Sequence, residues 1–269
     1  MRSAVLFASA LLLLAPALQV GRAAAQTVRD TVTSPRPRRW SFGVGERLDY
    51  DVRFGGVRVG TGYIEVDGFQ DVRGRDAYHT VFRVQGGTLF FKVDDRFDSW
   101  IDASSLSSLR FKQDQNEGGR DRERMYEIFP ERSVFTDETG TEHPSVSEPL
   151  DEGSFLYFVR SLPLEVGREY EFNRYFKPDR NPVRIKVLRR DRVTVPAGTF
   201  DAVVLQPVIK TKGLFSEDGH AEVWISDDPR RLLLQMRTRF AGFRLSLHLT
   251  GYRPPPGARP ASAPSRGRR

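Results

Sequence analysis

Polar and apolar positions alternate with period two over much of the chain. In "LLLQMRTRF", Leu232, Leu234, Met236, Thr238 and Phe240 alternate with Leu233, Gln235, Arg237 and Arg239. After Ala241-Gly242, Phe243, Leu245, Leu247 and Leu249 alternate with Arg244, Ser246 and His248. Two such runs around a small-residue break predict an antiparallel hairpin with one apolar face. "PVRIKV" behaves alike, with Val183, Ile185 and Val187 set against Arg184 and Lys186. In "VTVPAGTFDAVVL", Pro196 presets the first turn position and Gly198 can take the left-handed conformation, which predicts a three-residue hairpin loop closing on a bulge. Further strands are predicted over residues 47–54, 57–66, 77–85, 89–101, 107–113, 122–129, 168–176 and 221–225, punctuated by glycines.

One segment departs from this period. In "EPLDEGSFLYFVRSLPL", Phe155, Phe158 and Leu162, or Leu156, Val159 and Pro163, fall at helical spacing, and Asp151 can cap a helix that ends before Pro163. One amphipathic helix among about a dozen strands predicts an all-β, mainly antiparallel fold: a large curled sheet, as a sandwich or a half-barrel. "FGVGERLDY" (42–50) and "LEVGREYEF" (164–172) echo each other 122 residues apart. Each could open one half of the sheet, and a chance likeness of two strand entries gives the same echo.

The ends differ from this body. Arg2, an apolar run from Ala4 to Leu18 and Ala23-Ala24-Ala25 form a secretory signal-peptide pattern, expected over 1–25. The run is shorter than the roughly 20 residues that span a bilayer, so no transmembrane segment is expected in the mature chain. Residues 26–41 read as a disordered linker, 42–252 as a single β-rich domain, and 253–269 as a disordered Pro/Arg-rich tail. The net charge of +7 is carried by these ends, which leaves the body slightly acidic and argues against nucleic acid as a partner. The chain has no cysteine, which removes disulfides, a lipid-attached Cys and thiolate chemistry. Export to the periplasm is expected, with secretion as the alternative.

"FGVGERLDYDVRFGGVRVGTG", "VDDRFDSWID", "DEGSFLYFVRSLPLEVG", "VPAGTFDAVVLQP" and "EVWISDDPRRLLLQM" occur in the order seen in exported bacterial proteins of domain-of-unknown-function family 3108. The resemblance covers nearly all of 42–250. One departure is Leu233, where such proteins usually carry Pro after Arg-Arg-Leu. The resemblance implies an envelope β-protein, loosely similar in architecture to carriers of lipoproteins and other apolar cargo, and brings no catalytic residues with it.

Candidate chemistry is sparse. On an extended strand, Asp94, Asp98 and Asp102 share a face but stand roughly 13 Å apart in succession, too far for one metal ion or for a glycosidase pair. His79, His143, His220 and His248 show no metal-ligand spacing. Asp227-Asp228 sits in "DDPRR" between two strands, and neighbouring side chains on an extended segment diverge, so the pair reads as a hairpin corner. The aromatics Phe90, Phe91, Phe97, Trp100, Phe155, Tyr157, Phe158 and Trp224 either fill a core or line a cavity, with the helix across its mouth. The leading expectation is a non-enzymatic binder or carrier of an apolar envelope ligand, with Trp100, Phe155, Phe158 and Trp224 as candidate ligand-binding residues and no catalytic residue, metal or cofactor. The alternatives are an assembly protein that docks an envelope partner through a sheet edge or the tail, and a carboxylate hydrolase of an envelope polymer using Asp94, Asp98 or Asp102. Oligomeric state is left open.

Overall fold

The computed structural model describes residues 40–88, 91–209, 221–240 and 243–257. The expected signal peptide, the linker up to residue 39, the tail beyond residue 257, Phe90 and His220 lie outside the described residues. The strands are β1 (Arg47–Phe54), β2 (Val57–Val72), β3 (Arg75–Thr88), β4 (Phe91–Asp102), β5 (Ser108–Glu117), β6 (Arg120–Phe129), β7 (Val134–Thr136) and β8 (Glu142–Pro144), then β9 (Glu169–Phe172), β10 (Val183–Val195), β11 (Gly198–Val208), β12 (Glu222–Ser226), β13 (Leu233–Phe240) and β14 (Phe243–Arg253). The helix α1 (Glu152–Arg160) stands between β8 and β9.

The strands form one antiparallel sheet in the order β8 to β1 and then β14 to β9. Each run is a meander of neighbours, and the chain crosses from one sheet edge to the other by way of α1. A parallel bridge between Leu150 and Tyr175 ties the segments that follow β8 and β9, so the curled sheet draws its two edges together. All eight residues from Gly153 to Arg160 are buried. The helix is therefore engulfed by the concave face and does not lie across a mouth. The sequence predicts an amphipathic helix, but a sheet this wide wraps the polar side as well, and a helix enclosed all round needs no solvent face. At Gly153 it lies close against the sheet: a Cβ there would lie 2.3 Å from Ser99 Oγ on β4.

The turn after β10 is one residue tighter than predicted, since Val195 pairs with Gly198. Strand β9 is shorter than the predicted 168–176, and the three-residue strands β7 and β8 carry too little alternation to be seen in sequence. At the N-terminal side the packed body begins before residue 42: Trp40 Nε1 donates to the Ala103 carbonyl at 2.9 Å and its ring stacks on Phe42.

The sequence echo marks a structural repeat of six strands, β1–β6 against β9–β14. Each copy opens on a left-handed glycine, Gly45 at φ 85° and Gly167 at φ 88°, where a side chain would be strained. Gly45 N donates to Val66 O, and Val66 N to Glu46 O; Gly167 N donates to Val187 O, and Val187 N to Arg168 O. A bulge follows Val66 in the first copy and Val187 in the second. Ala103 N reaches Asp76 O, and Asp227 N reaches Asp201 O. Both copies carry Trp-Ile at a second bulge. Trp100 Nε1 donates to Gln70 Oε1 at 2.7 Å, and Trp224 Nε1 to Asp191 Oδ2 at 2.9 Å. The ladders fix the equivalences: Trp100 with Trp224, Arg110 with Gln235, Lys112 with Arg237, and Glu127 with His248.

Candidate functional site: the seam beneath α1

Between α1 and the second half of the sheet runs a seam lined by Phe155, Leu156 and Val159 from the helix and by Ile185, Leu205 and Val223 among others from the strands. Its lining is apolar throughout, and its free volume is about 10 Å³, room for about one water molecule. The seam is closed because α1 is fastened at both ends by buried polar groups.

At the N-terminal end Asp151 caps the helix as its sequence position predicts. Its carboxylate accepts from Gly153 N and Ser154 N, both at 2.8 Å, from Ser99 Oγ at 2.7 Å and from Ser108 Oγ at 2.6 Å. Burial nevertheless pushes the Asp151 carboxyl up to about 6, against the pull of these donors. At the C-terminal end Arg160 forks onto Glu46, with Nη1–Oε1 at 2.6 Å and Nη2–Oε2 at 3.0 Å. Burial alone would lower the Arg160 guanidinium, and the Glu46 carboxylate more than offsets it. Arg160 Nη2 also donates to the Arg230 carbonyl at 3.1 Å. The "DDPRR" corner thus holds the helix with its backbone, while its acids are occupied separately, Asp227 by Arg190 at 2.9 Å and Asp228 by Arg230 at 2.6 Å. Nothing in the sequence singles out Glu46, which reads as an ordinary charge at a strand entry.

Of the four predicted ligand-binding residues, Phe155 lines this seam, and Phe158 is buried on the same helix against Phe172, ring centroids 5.1 Å apart. The two tryptophans lie elsewhere. Val223 and Ile225 face the seam, so Trp224 between them points to the outer face. Trp100 belongs to a small outer cluster with Val72, Ala77 and Leu109, stacked on His79 at 4.6 Å. Period-two alternation places them there, although Trp224 is fully buried, at 1% exposed, and belongs to the same core cluster as Phe155 and Phe158.

The three β4 acids singled out in the sequence are all engaged. Asp94 takes the Arg83 fork, Asp98 takes His79 Nε2 at 2.8 Å and Arg96, and Asp102 takes Arg75 and the turn residues Ser104 and Ser105. Among the described residues no group of three His, Asp or Glu is placed to hold a metal ion. No described helix is long and apolar enough to cross a membrane.

Among solved structures, a β-barrel-like protein of domain of unknown function DUF1849 from Brucella abortus superposes with TM-score 0.50 at 11% identity, over 78% of this chain and 98% of that one. A provisionally designated lipoprotein from Parabacteroides distasonis gives TM-score 0.32 at 12% identity, over 80% and 98%. These likenesses concern fold alone, and only the first is close enough to use: it agrees with a curled, barrel-like sheet. No curated protein matches the chain. The family described as protein of unknown function (DUF3108) matches residues 49–247, and the chain belongs to that family.

Proposed function

We propose that the protein is an exported, non-enzymatic component of the cell envelope that takes up an apolar chain between α1 and the curled sheet. One observation carries this reading: the α1 seam is lined by apolar side chains alone. Its volume of about 10 Å³ makes the present arrangement the closed one. Uptake displaces α1 from the concave face while the strand ladders, which do not run through the helix, stay paired. The signal-peptide pattern of residues 1–25 supports export.

The test is native mass spectrometry of protein purified without detergent, together with titration of a fluorescent palmitate analogue. Saturable uptake of one probe per chain is expected. Val159→Ile, which adds a single methylene against the little space that remains under α1, should weaken uptake while the far-ultraviolet spectrum stays that of the parent. A chain that neither carries nor takes up lipid overturns the proposal.

A further inference from the structure

The outer face of the second half bears a cleft of about 300 Å³, on the side of the sheet away from α1. Its walls are Arg53, Arg237, Arg244, Ser246 and His248, with the Gly55-Gly56 turn at the rim. Ser246 on β14 has Arg53 of β1 directly opposite on one side and Arg237 of β13 on the other. Strands stand about 4.8 Å apart, so the two arginine backbones are roughly 10 Å apart with a hydroxyl midway between them. Arg244 lies two residues along β14 on the same face.

These cations are under-compensated, with Asp51 at 3.7 Å from Arg53 the one ion pair to any of them among the described residues. No carboxylate lines the cleft, and neither Arg237 nor Arg244 has an ion-pair partner among the described residues. Glu222, opposite Arg237 in register, is taken by Arg189 at 2.6 Å. Asp51 lies 3.7 Å from Arg53 but is held at 2.7 Å by Arg58, and Arg53 Nε is buried with no partner. The first half of the repeat provides an internal control. There Lys112, equivalent to Arg237, pairs with Glu123 at 3.1 Å, and Arg110 pairs with Glu127. The second half has Arg244 in place of Glu123 and His248 in place of Glu127. The fold therefore does not require the excess of positive charge: the Arg110–Glu127 pair is replaced by the neutral Gln235 and His248, and the acid that balances Lys112 is replaced by a further cation, Arg244.

The remaining groups prepare the floor. The Arg237 guanidinium lies over the Trp224 ring, 4.7 Å from its centroid. A guanidinium has only donors, so the Gln235 amide turns its oxygen to Arg237 Nη2 at 2.9 Å and its nitrogen to His248 Nδ1 at 3.2 Å. His248 Nδ1 thus accepts, and Nε2 carries the proton that Ser246 Oγ accepts at 3.0 Å. In this tautomer Nε2 donates to Ser246, which leaves the Ser246 hydroxyl hydrogen free to point into the cleft. Burial, Arg53 and Arg237 push the His248 imidazole down to about 4, so it stays neutral near pH 7.

We propose that this cleft binds a phosphate group, with Arg53 and Arg237 donating from opposite sides, the Ser246 hydroxyl from the floor and Arg244 from the rim. Fork-shaped guanidiniums match the oxygens of a tetrahedral anion. The group can belong to a soluble phosphate ester or to a phospholipid headgroup, and the site stands independently of the α1 seam.

The test uses the full chain and compares it with Arg244→Gln/Ser246→Ala, which changes an exposed arginine and a buried outer-face hydroxyl, and with Arg53→Gln. Calorimetric titration with inorganic phosphate and glycerol 3-phosphate should show saturable binding, weakened about tenfold for each arginine removed. Co-sedimentation with phosphatidylglycerol and phosphatidylcholine vesicles separates the sources. Ester binding without variant-sensitive sedimentation assigns a soluble ligand. Sedimentation that falls in the variants assigns a headgroup. The absence of saturable phosphate binding, together with sedimentation unchanged by the substitutions, overturns the site.

Discussion

Arg160→Met is expected to destabilise the protein by about 3–5 kcal/mol, because it leaves the Glu46 carboxylate buried without its counter-charge. For a domain of this size that lowers the melting temperature by roughly 10 °C. Glu46 is 0% exposed, so it cannot recover water in the folded state. Arg160 also ties three segments together: the end of α1, the entry to β1 through Glu46 and Ser41, and the β12–β13 corner through the Arg230 carbonyl. Its guanidinium further lies within 5.4 Å of the Phe42 ring centroid. Replacing both charges removes the uncompensated group, so Glu46→Leu/Arg160→Met should be more stable than either single variant. Urea unfolding of the four proteins closes a double-mutant cycle. Additive losses would mean that the pair is not the latch inferred from its geometry. If α1 must leave its seat for uptake, the double variant should also take up the fluorescent palmitate faster than the parent, since the salt link no longer resists that movement.

The strands were legible because this sheet has one face toward a core and one toward solvent, and that asymmetry is written as alternation. β1 has the predicted limits, and the hairpin at Ala241-Gly242 is paired from Phe240 to Phe243. Bulges were illegible, because an extra residue shifts the phase of the alternation without changing its character. The helix was visible in its spacing and in its Asp151 cap, but its enclosure was not. Periodicity reports which side of a helix is apolar, whereas the curl of the sheet decides how much of it is covered. The repeat was present in sequence only as the Val-Gly entry of each half and the Trp-Ile pairs. What preserves it in space is mostly backbone hydrogen bonding at Val66 and Val187 and at Asp76 and Asp201, where the side chain is immaterial.

The candidate aromatics show the same limit at the level of the site. Residue type marks Trp100 and Trp224 as large and apolar, but the pleat sends both to the outer face. There they serve as platforms for arginine: Arg110 at 5.3 Å from the Trp100 centroid, and Arg237 at 4.7 Å from that of Trp224. The outer cleft could not be read along one strand, because its members Arg53, Arg237 and Ser246 come from three strands. They become neighbours only once β14 closes beside β1.

Asp151→Ala should cost roughly 3–4 kcal/mol, from loss of the helix cap and from buried donors left without an acceptor. The residue is 0% exposed and gathers two serine hydroxyls and two backbone N–H groups from β4, β5 and α1. Asp151→Asn keeps the shape but turns an amide NH₂ toward donors, so a smaller loss of about 1–2 kcal/mol is expected. The two variants also differ from the parent in pH dependence. Burial raises the folded carboxyl from 3.8 to about 6, so between these values the native state holds a proton that the unfolded chain has released. The stability linked to that proton is fully present below pH 4 and is lost as pH rises through 6. The difference amounts to about 3 kcal/mol at one pKa unit per 1.36 kcal/mol. Asp151→Asn cannot titrate, so its stability relative to the parent should rise by about 2 kcal/mol between pH 4 and pH 6.5, with titrating groups remote from Asp151 cancelling in the comparison. Unfolding free energies measured across that range provide the check. Parallel profiles for parent and Asn variant would show that the four donors hold Asp151 ionised throughout, and that the N-terminal fastening of α1 is indifferent to acid.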